Sequence, residues 1–279
     1  MTLRRPVPPG RTEESLRRQY EVERALADRL RASASRDERS RLYATMYDEL
    51  FRAVPDHPRL TAVEDPASLD RKNRDKLSLV EPWLRPDAVF VEFAPGDCSF
   101  ATLVAGRVGK VIAIDISDQR PAGAPRPRNL ELVLYDGYRL AIPQGEADLV
   151  FSDQFLEHLH PDDVNEHLGL AHGLLRRGGL YAFRTPHRFA GPHDISRYFA
   201  DEPHGFHLRE WTYGEMAEAL RAAGYGTIQG GRRVRGRYRP VPLGPLVLAE
   251  RLFGPLPHRL RKRLSKPVLG RNLVMFAGR

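Results

Sequence analysis

Residues 89–100 read Val-Phe-Val-Glu-Phe-Ala-Pro-Gly-Asp-Cys-Ser-Phe, and a second apolar run, Val111-Ile112-Ala113-Ile114, ends on Asp115. The order is buried strand, tight turn, helix, second strand, acid. Such a unit binds a nucleoside-bearing cofactor at the carboxyl ends of parallel strands. Ala94-Pro95-Gly96 places little side-chain bulk in the turn, so backbone N–H groups can approach a ligand. Asp115 stands 19 residues after Gly96, where a carboxylate can accept hydrogen bonds from both hydroxyls of a ribose.

The turn also separates two cofactor classes. A pyrophosphate-binding loop wants glycines as G-x-G-x-x-G. Here those places hold Ala94, Gly96 and Ser99, and Glu92 sits at the mouth. A carboxylate there repels pyrophosphate and attracts an ammonium. The stretch Glu92 to Cys98 resembles motif I, E/D-x-G-x-G-x-G, of the class I S-adenosylmethionine (SAM) methyltransferases, with Ala94 and Cys98 in two of the three glycine places.

Later segments follow in the order this family requires. Leu132-Val133-Leu134-Tyr135-Asp136-Gly137 resembles its third strand, whose closing acid commonly receives the adenine amino group. Ala147 to Asp153 resembles the fourth strand, which passes beside the methionine part of SAM. Glu157-His158-Leu159 is similar to the family's "EHL" signature, and Leu174 to Phe183 reads as a helix end, a Gly-Gly turn and a fifth strand. The resemblance runs from about Val89 to Ala223 and is closest to the bacterial group acting on small molecules. It implies SAM as cofactor, held by Glu92, Ala94, Pro95, Gly96, Asp115, Ile116, Asp136, Gly137, Ser152 and Asp153. In related enzymes an N-terminal helix lays an aromatic hydroxyl over the cofactor. Tyr43 and Tyr47, four apart on one helix face, are the candidates, with aromatic packing as the alternative.

The expected fold is α/β, a Rossmann-like, mostly parallel seven-stranded sheet with an antiparallel last strand. Helical segments over about 13–31, 37–53 and 68–84 build an N-terminal extension or lid, residues 1–85. The SAM-binding domain takes residues 86–279. Tyr225 to Val234 and Asn272 to Ala277 read as the last two strands, with an insertion at 241–266 between them.

Composition sets the class. Hydrophobic residues make up 41% and charged residues 29% of the 279-residue chain, as in ordinary water-soluble domains. Cys98 is the only cysteine, which fits a reducing cytoplasm, and no secretory signal or membrane-spanning run is read. Residues 230–279 hold 13 basic residues against Glu250 alone, a net of +12, which leaves −4 for the rest of the +8 total. A basic tail can meet nucleic acid, yet charge runs are commonly solvated surface.

Methyl transfer from a sulfonium needs alignment and, for a hydroxyl or ammonium, removal of a proton. The polar segment after the fifth strand, Thr185 to Phe199, lies where an acceptor would enter. His193, His187 and His158 are the candidate bases; Gln154, Arg188, Tyr198 and His207 are candidate substrate contacts. The plain alternative is a hydrogen-bonded loop that shapes the pocket without proton transfer. His187, His193, Asp194, His204 and His207 show no repeated ligand spacing, so no metal is expected.

The leading expectation is methyl transfer to O or N of a small molecule, in natural product biosynthesis. Nucleic acid is a less favoured partner, because base-amine enzymes carry [D/N]-P-P-[Y/F] where this chain has Ser152-Asp153-Gln154-Phe155. A SAM-fold cyclase or cofactor-binding regulator is the third reading.

Overall fold

The apolar run Val89–Phe93 forms strand β1, and it lies at the centre of the sheet because both of its faces are buried. In the computed structural model, which describes residues 2–61 and 65–279, it pairs in parallel with β2 (Lys110–Asp115) and with β4 (Ala147–Asp153). β3 (Leu130–Leu134) adds in parallel to β2, and β5 (Leu175–Pro186) in parallel to β4. Then β6 (Thr227–Val234), β7 (Arg237–Val241) and β8 (Asn272–Gly278) complete the order β3-β2-β1-β4-β5-β8-β6-β7. β8 runs antiparallel to both β5 and β6.

Among the described residues the sheet has eight strands, not the seven expected. The extra one is β7. Arg235 and Gly236 take positive φ (50° and 82°), which turns the chain back into a hairpin antiparallel to β6. Arg237, Arg239 and Pro240 hid this strand, because charge and proline suit only a sheet edge. The Gly-Gly step at 178–179 likewise lies within β5, where the β4 pairing shifts register, rather than in a turn before it.

Helices cover both sheet faces. α4 (Pro66–Val80) and α5 (Ser99–Ala105) pack on one side, with Leu79, Phe100 and Val104 meeting Phe90 and Phe151. α6 (Val164–Leu174), α7 (Tyr213–Ala222) and α8 (Leu243–Phe253) contribute to the other, around Phe93, Tyr181 and Met275. α9 (His258–Leu269) lies against α8, so β7, α8 and α9 fill the span between β6 and β8.

The N-terminal helices form separate apolar clusters. α1 (Glu13–Ala32) and α2 (Arg36–Ala53) bury Leu26, Leu30, Met46 and Leu50 against Phe206 and Leu208. Leu16 and Tyr20 of α1 pack on Ile195, Tyr198 and Phe199 of the segment after β5. A buried Arg39–Asp163 pair, with an Nε–Oδ2 distance of 2.7 Å, ties α2 to the sheet domain. The short helix α3 (Pro58–Thr61) follows α2; the rest of the Pro55–Pro66 connection lies partly outside the described residues.

Candidate active site

The strand order reverses between β1 and β4, which opens a crevice at their carboxyl ends. Glu92 sits there with 1% exposure, and its Oε2 has no hydrogen-bond partner. Burial pushes its carboxyl up to about 7, against the pull of Lys76, whose Nζ lies 3.7 Å from Oε1. A buried carboxylate facing one cation, with its second oxygen unpaired, suits an ammonium-bearing ligand. The following turn holds positive φ at Ala94 (53°), Gly96 (60°) and Cys98 (59°), the three glycine places of the motif. Cys98 is buried, and burial pushes its thiol up to about 11, which disfavours the reactive thiolate.

Asp115 closes β2 and is 6% exposed. One carboxylate oxygen accepts from Ile116 N at 2.7 Å and the other from Gly96 N at 3.3 Å, which fixes the carboxylate across the turn. Burial raises its pKa, opposed by these backbone N–H groups. Ile116 stands exposed beside it. Asp136 is exposed and accepts from Tyr138 N and Arg139 N, so its carboxylate orders the turn at Gly137.

The structure places the other expected cofactor contacts as follows. The Ser152 hydroxyl is 2.7 Å from Tyr181 Oη inside the core. Asp153 makes a two-pronged pair with Arg184, which also holds Asp75 on α4. Tyr43 Oη accepts from His160 N at 2.8 Å and serves to seat α2 on the segment after β4. Tyr47 points into a different space, against Phe206.

That space is a cavity of about 570 Å³ between α1, α2, α3 and the segments after β4 and β5. Its wall includes Tyr47, His158, His193, Asp194, Tyr198 and His207. Arg59 on α3 also lines it, and its charge is felt by both Asp115 and His158, which places Arg59 between crevice and cavity. Two expected lining residues lie elsewhere. His187 is fully buried, with Nε2 2.8 Å from Glu250 Oε1 of α8, and belongs to the core. Arg188 pairs with Glu215 on α7. Gln154, at φ 55°, is exposed at the end of β4.

The cavity wall is organised by Glu210, which the sequence reading missed. Its two oxygens accept from His193 Nδ1 (3.2 Å) and His207 Nδ1 (2.9 Å). Burial opposes its charge, but the two imidazoles win and hold its carboxyl at about 2. Gly191 has no side chain because the Glu210 carboxylate occupies the place of a Cβ. His193 Nε2 is buried without a partner. His158 donates Nδ1–H to Phe206 O at 2.9 Å, and burial drives it down to about 3, so it stays neutral. Glu157, adjacent to it, is fully buried: Oε2 accepts from Thr185 and Oε1 is unpartnered. Burial pushes its carboxyl up to about 7. Where spacing led to no expected metal, ligand atoms of Glu157, His158 and His207 stand within 4.8 Å of one another.

Known proteins resemble this arrangement. Residues 91–183 match the family profile described as the methyltransferase domain. No curated protein matches the sequence. Among solved structures, a Burkholderia thailandensis 1,6-didemethyltoxoflavin-N1-methyltransferase, with 1,6-didemethyltoxoflavin and S-adenosylhomocysteine bound, is similar at TM-score 0.54 and 20% identity, over 88% of this chain and 91% of that one. A SAM-dependent methyltransferase from Mesorhizobium loti is similar at TM-score 0.51 and 20% identity, over 74% and 98%. One from Archaeoglobus fulgidus is similar at TM-score 0.51 and 15% identity, over 75% and 94%. At these identities the likeness is one of fold. Among the described residues, no helix is long and apolar enough to cross a membrane. Domain match, strand order and crevice agree: the chain is a SAM-dependent methyltransferase of the class I fold, with S-adenosylmethionine as its cofactor.

Proposed function

We propose that the chain methylates an oxygen or nitrogen nucleophile of a small molecule held in the cavity, in the manner of the small-molecule "EHL" group and in a biosynthetic setting. The observation that carries this reading is the Glu210–His193 pair. A carboxylate on Nδ1 orients the imidazole and leaves Nε2 unpartnered at the cavity wall. In this reading His193 takes the proton of the nucleophile at Nε2. His158, neutral down to about 3, is too weak a base and instead shapes the wall. Tyr198 and Tyr47 supply apolar surface for a ring or chain.

SAM supplies a methyl already activated on a sulfonium. Glu92 would receive its ammonium, Asp115 its ribose hydroxyls, and Ile116 would flank its adenine. Ala94, Pro95 and Gly96 let the backbone approach. The resemblance of Asp136 to the adenine-binding acid survives only if its exposed carboxylate is reached from the turn.

A volume of about 570 Å³ fits a small molecule and not a stacked polynucleotide. Part of the basic tail also has a packing role: Arg261 lies over the Phe189 ring at 4.9 Å, and Lys262 bonds Gly191 O.

Methyl-labelled SAM incubated with panels of phenols, alcohols, amines and nucleic acids tests the proposal. Label is expected on a small hydroxyl or amine compound. Label only on RNA or DNA would replace this reading with the nucleic-acid one. Bound SAM with label on nothing would favour a non-transferring SAM-fold protein.

A further inference from the structure

His158 and His207 line the cavity, the buried Glu157 carboxylate lies beside them, and each of the three is already oriented from behind. The Nδ1 of His158 is held by Phe206 O at 2.9 Å. The Nδ1 of His207 is held by the Glu210 carboxylate at 2.9 Å. Both contacts use Nδ1 and leave Nε2 as the free ring nitrogen. Glu157 is held by Thr185 Oγ1 through Oε2, and its buried Oε1 has no partner. Ligand atoms of the three lie within 4.8 Å of one another.

A backbone carbonyl or carboxylate behind each imidazole is what metal-ligating histidines use to fix tautomer and ring orientation. Two histidines and one carboxylate on one face of an ion, with the other positions open, form a recognised transition-metal pattern. Ligand atoms around a common ion at ~2.1 Å stand ~3–3.5 Å apart, so the three side chains close on it by small χ rotations. Glu210 and Asp194 put negative charge beside His207, while Arg59 of the cavity lining acts on His158 with the opposite sign. Glu157 alone would otherwise be a buried oxygen with nothing to bind.

We propose that Glu157, His158 and His207 form a binding site for a divalent transition-metal ion, whose open positions face the cavity and take an oxygen or nitrogen ligand of the acceptor. The acceptor part rests on the cavity reading above; the metal site does not. An ion there would polarise a bound hydroxyl and place it for attack. The sequence hid this site, because Glu157 and His158 are neighbours on one short turn while His207 comes from a later segment.

The test uses the full chain without SAM or acceptor, and Co(II) as the probe. After dialysis, bound cobalt is read by elemental analysis and by visible absorption. About one Co(II) per chain is expected, and Glu157→Gln and His207→Ala should each weaken binding at least ~10-fold. Melting temperature checks that the variants fold. Where one does not, Glu210→Gln carries the test: it keeps the shape, frees the His207 ring and should weaken Co(II) binding ~10–100-fold. Wild-type protein that retains no Co(II), or variants that retain as much as wild type, would overturn the proposal and leave a purely hydrogen-bonded cluster. Since no methyl acceptor is involved, failure here leaves the methyl-transfer reading standing, and the reverse holds.

Discussion

The crevice at the strand ends and the cavity under the N-terminal helices are built differently. Glu92, the Ala94–Cys98 turn and Asp115 all ride on one strand-turn-helix-strand unit between Val89 and Asp115. The cavity wall draws on α1, α2, α3, the turn after β4 and the long segment after β5. In the crevice, local spacing dictates geometry, because parallel pairing sets β1 against β2 residue by residue. In the cavity, geometry comes from two small apolar clusters that bring distant segments together. The same difference should separate the effects of mutations. Crevice variants should change SAM affinity, and cavity variants should change turnover with SAM affinity kept.

The largest effect is expected at His193. Loss of a positioned base typically slows a reaction ~10²–10⁴-fold. His193→Ala should lower kcat in that range, with SAM affinity by titration calorimetry within two-fold or so of wild type. A loss below about ten-fold would reduce His193 to pocket shaping. A parallel loss of SAM affinity would show that crevice and cavity are one coupled site. Glu210→Gln should fall in the same direction but less far, because it disorients His193 without removing it.

Next comes Asp115→Ala. Hydrogen bonds to a charged group contribute ~1.5–3 kcal/mol, so SAM affinity should drop ~10–100-fold. Acceptor KM should hardly move. Equal SAM affinity in variant and wild type would sink the ribose assignment, and tighter binding of NAD than of SAM would contradict the cofactor class.

How far each half could be read before folding follows from these constructions. Glu92, Gly96 and Asp115 were legible because a strand pattern and a fixed spacing place them at strand ends. The run of parallel strands and the last antiparallel strand were legible for the same reason, while β7 was hidden by its arginines and proline. His193, His158, Tyr198 and His207 were legible only as polar residues in a long segment, and all four reach the cavity. His187 was misread, since nothing in Thr185-Pro186-His187 tells that Glu250 of α8 waits beneath it. Glu210 was missed for the converse reason. It looks like a surface acid in Leu208-Arg209-Glu210-Trp211 until Gly191 lets it lie against the backbone.

A smaller effect, read on pH, sharpens the crevice. The Glu92 carboxyl is raised from an ordinary 4.5 to about 7, chiefly by burial. The folded protein therefore holds a proton that the unfolded chain has released, and Glu92 costs stability as pH rises through that window. A SAM ammonium needs the ionised carboxylate. SAM binding should accordingly weaken as pH falls below about 7, by at most ~10-fold per pH unit. The SAM-induced rise in melting temperature should grow between acid and neutral pH, and Glu92→Gln should flatten it. A pH-independent rise in the wild type would show that the ammonium is met elsewhere.

The smallest expected effect lies in the turn itself. Ala94, Gly96 and Cys98 all take left-handed backbone, which costs a non-glycine residue ~1–2 kcal/mol. Cys98 offsets this by packing in the core, with 1% exposure, so Cys98→Gly would mix strain relief with a cavity. Ala94 is the cleaner site. Glycine there also gains freedom in the unfolded chain, which takes back ~0.5–1 kcal/mol. Ala94→Gly should therefore stabilise by about 0.5–1 kcal/mol and raise the melting temperature by roughly 1–4 °C. The mirror experiment is Gly96→Ala. An added Cβ meets nothing within 4 Å, so its expected loss of about 1 kcal/mol would come from backbone strain alone. If Ala94→Gly lowers the melting temperature instead, the methyl group of Ala94 packs usefully and the turn is not a glycine motif worn down by substitution.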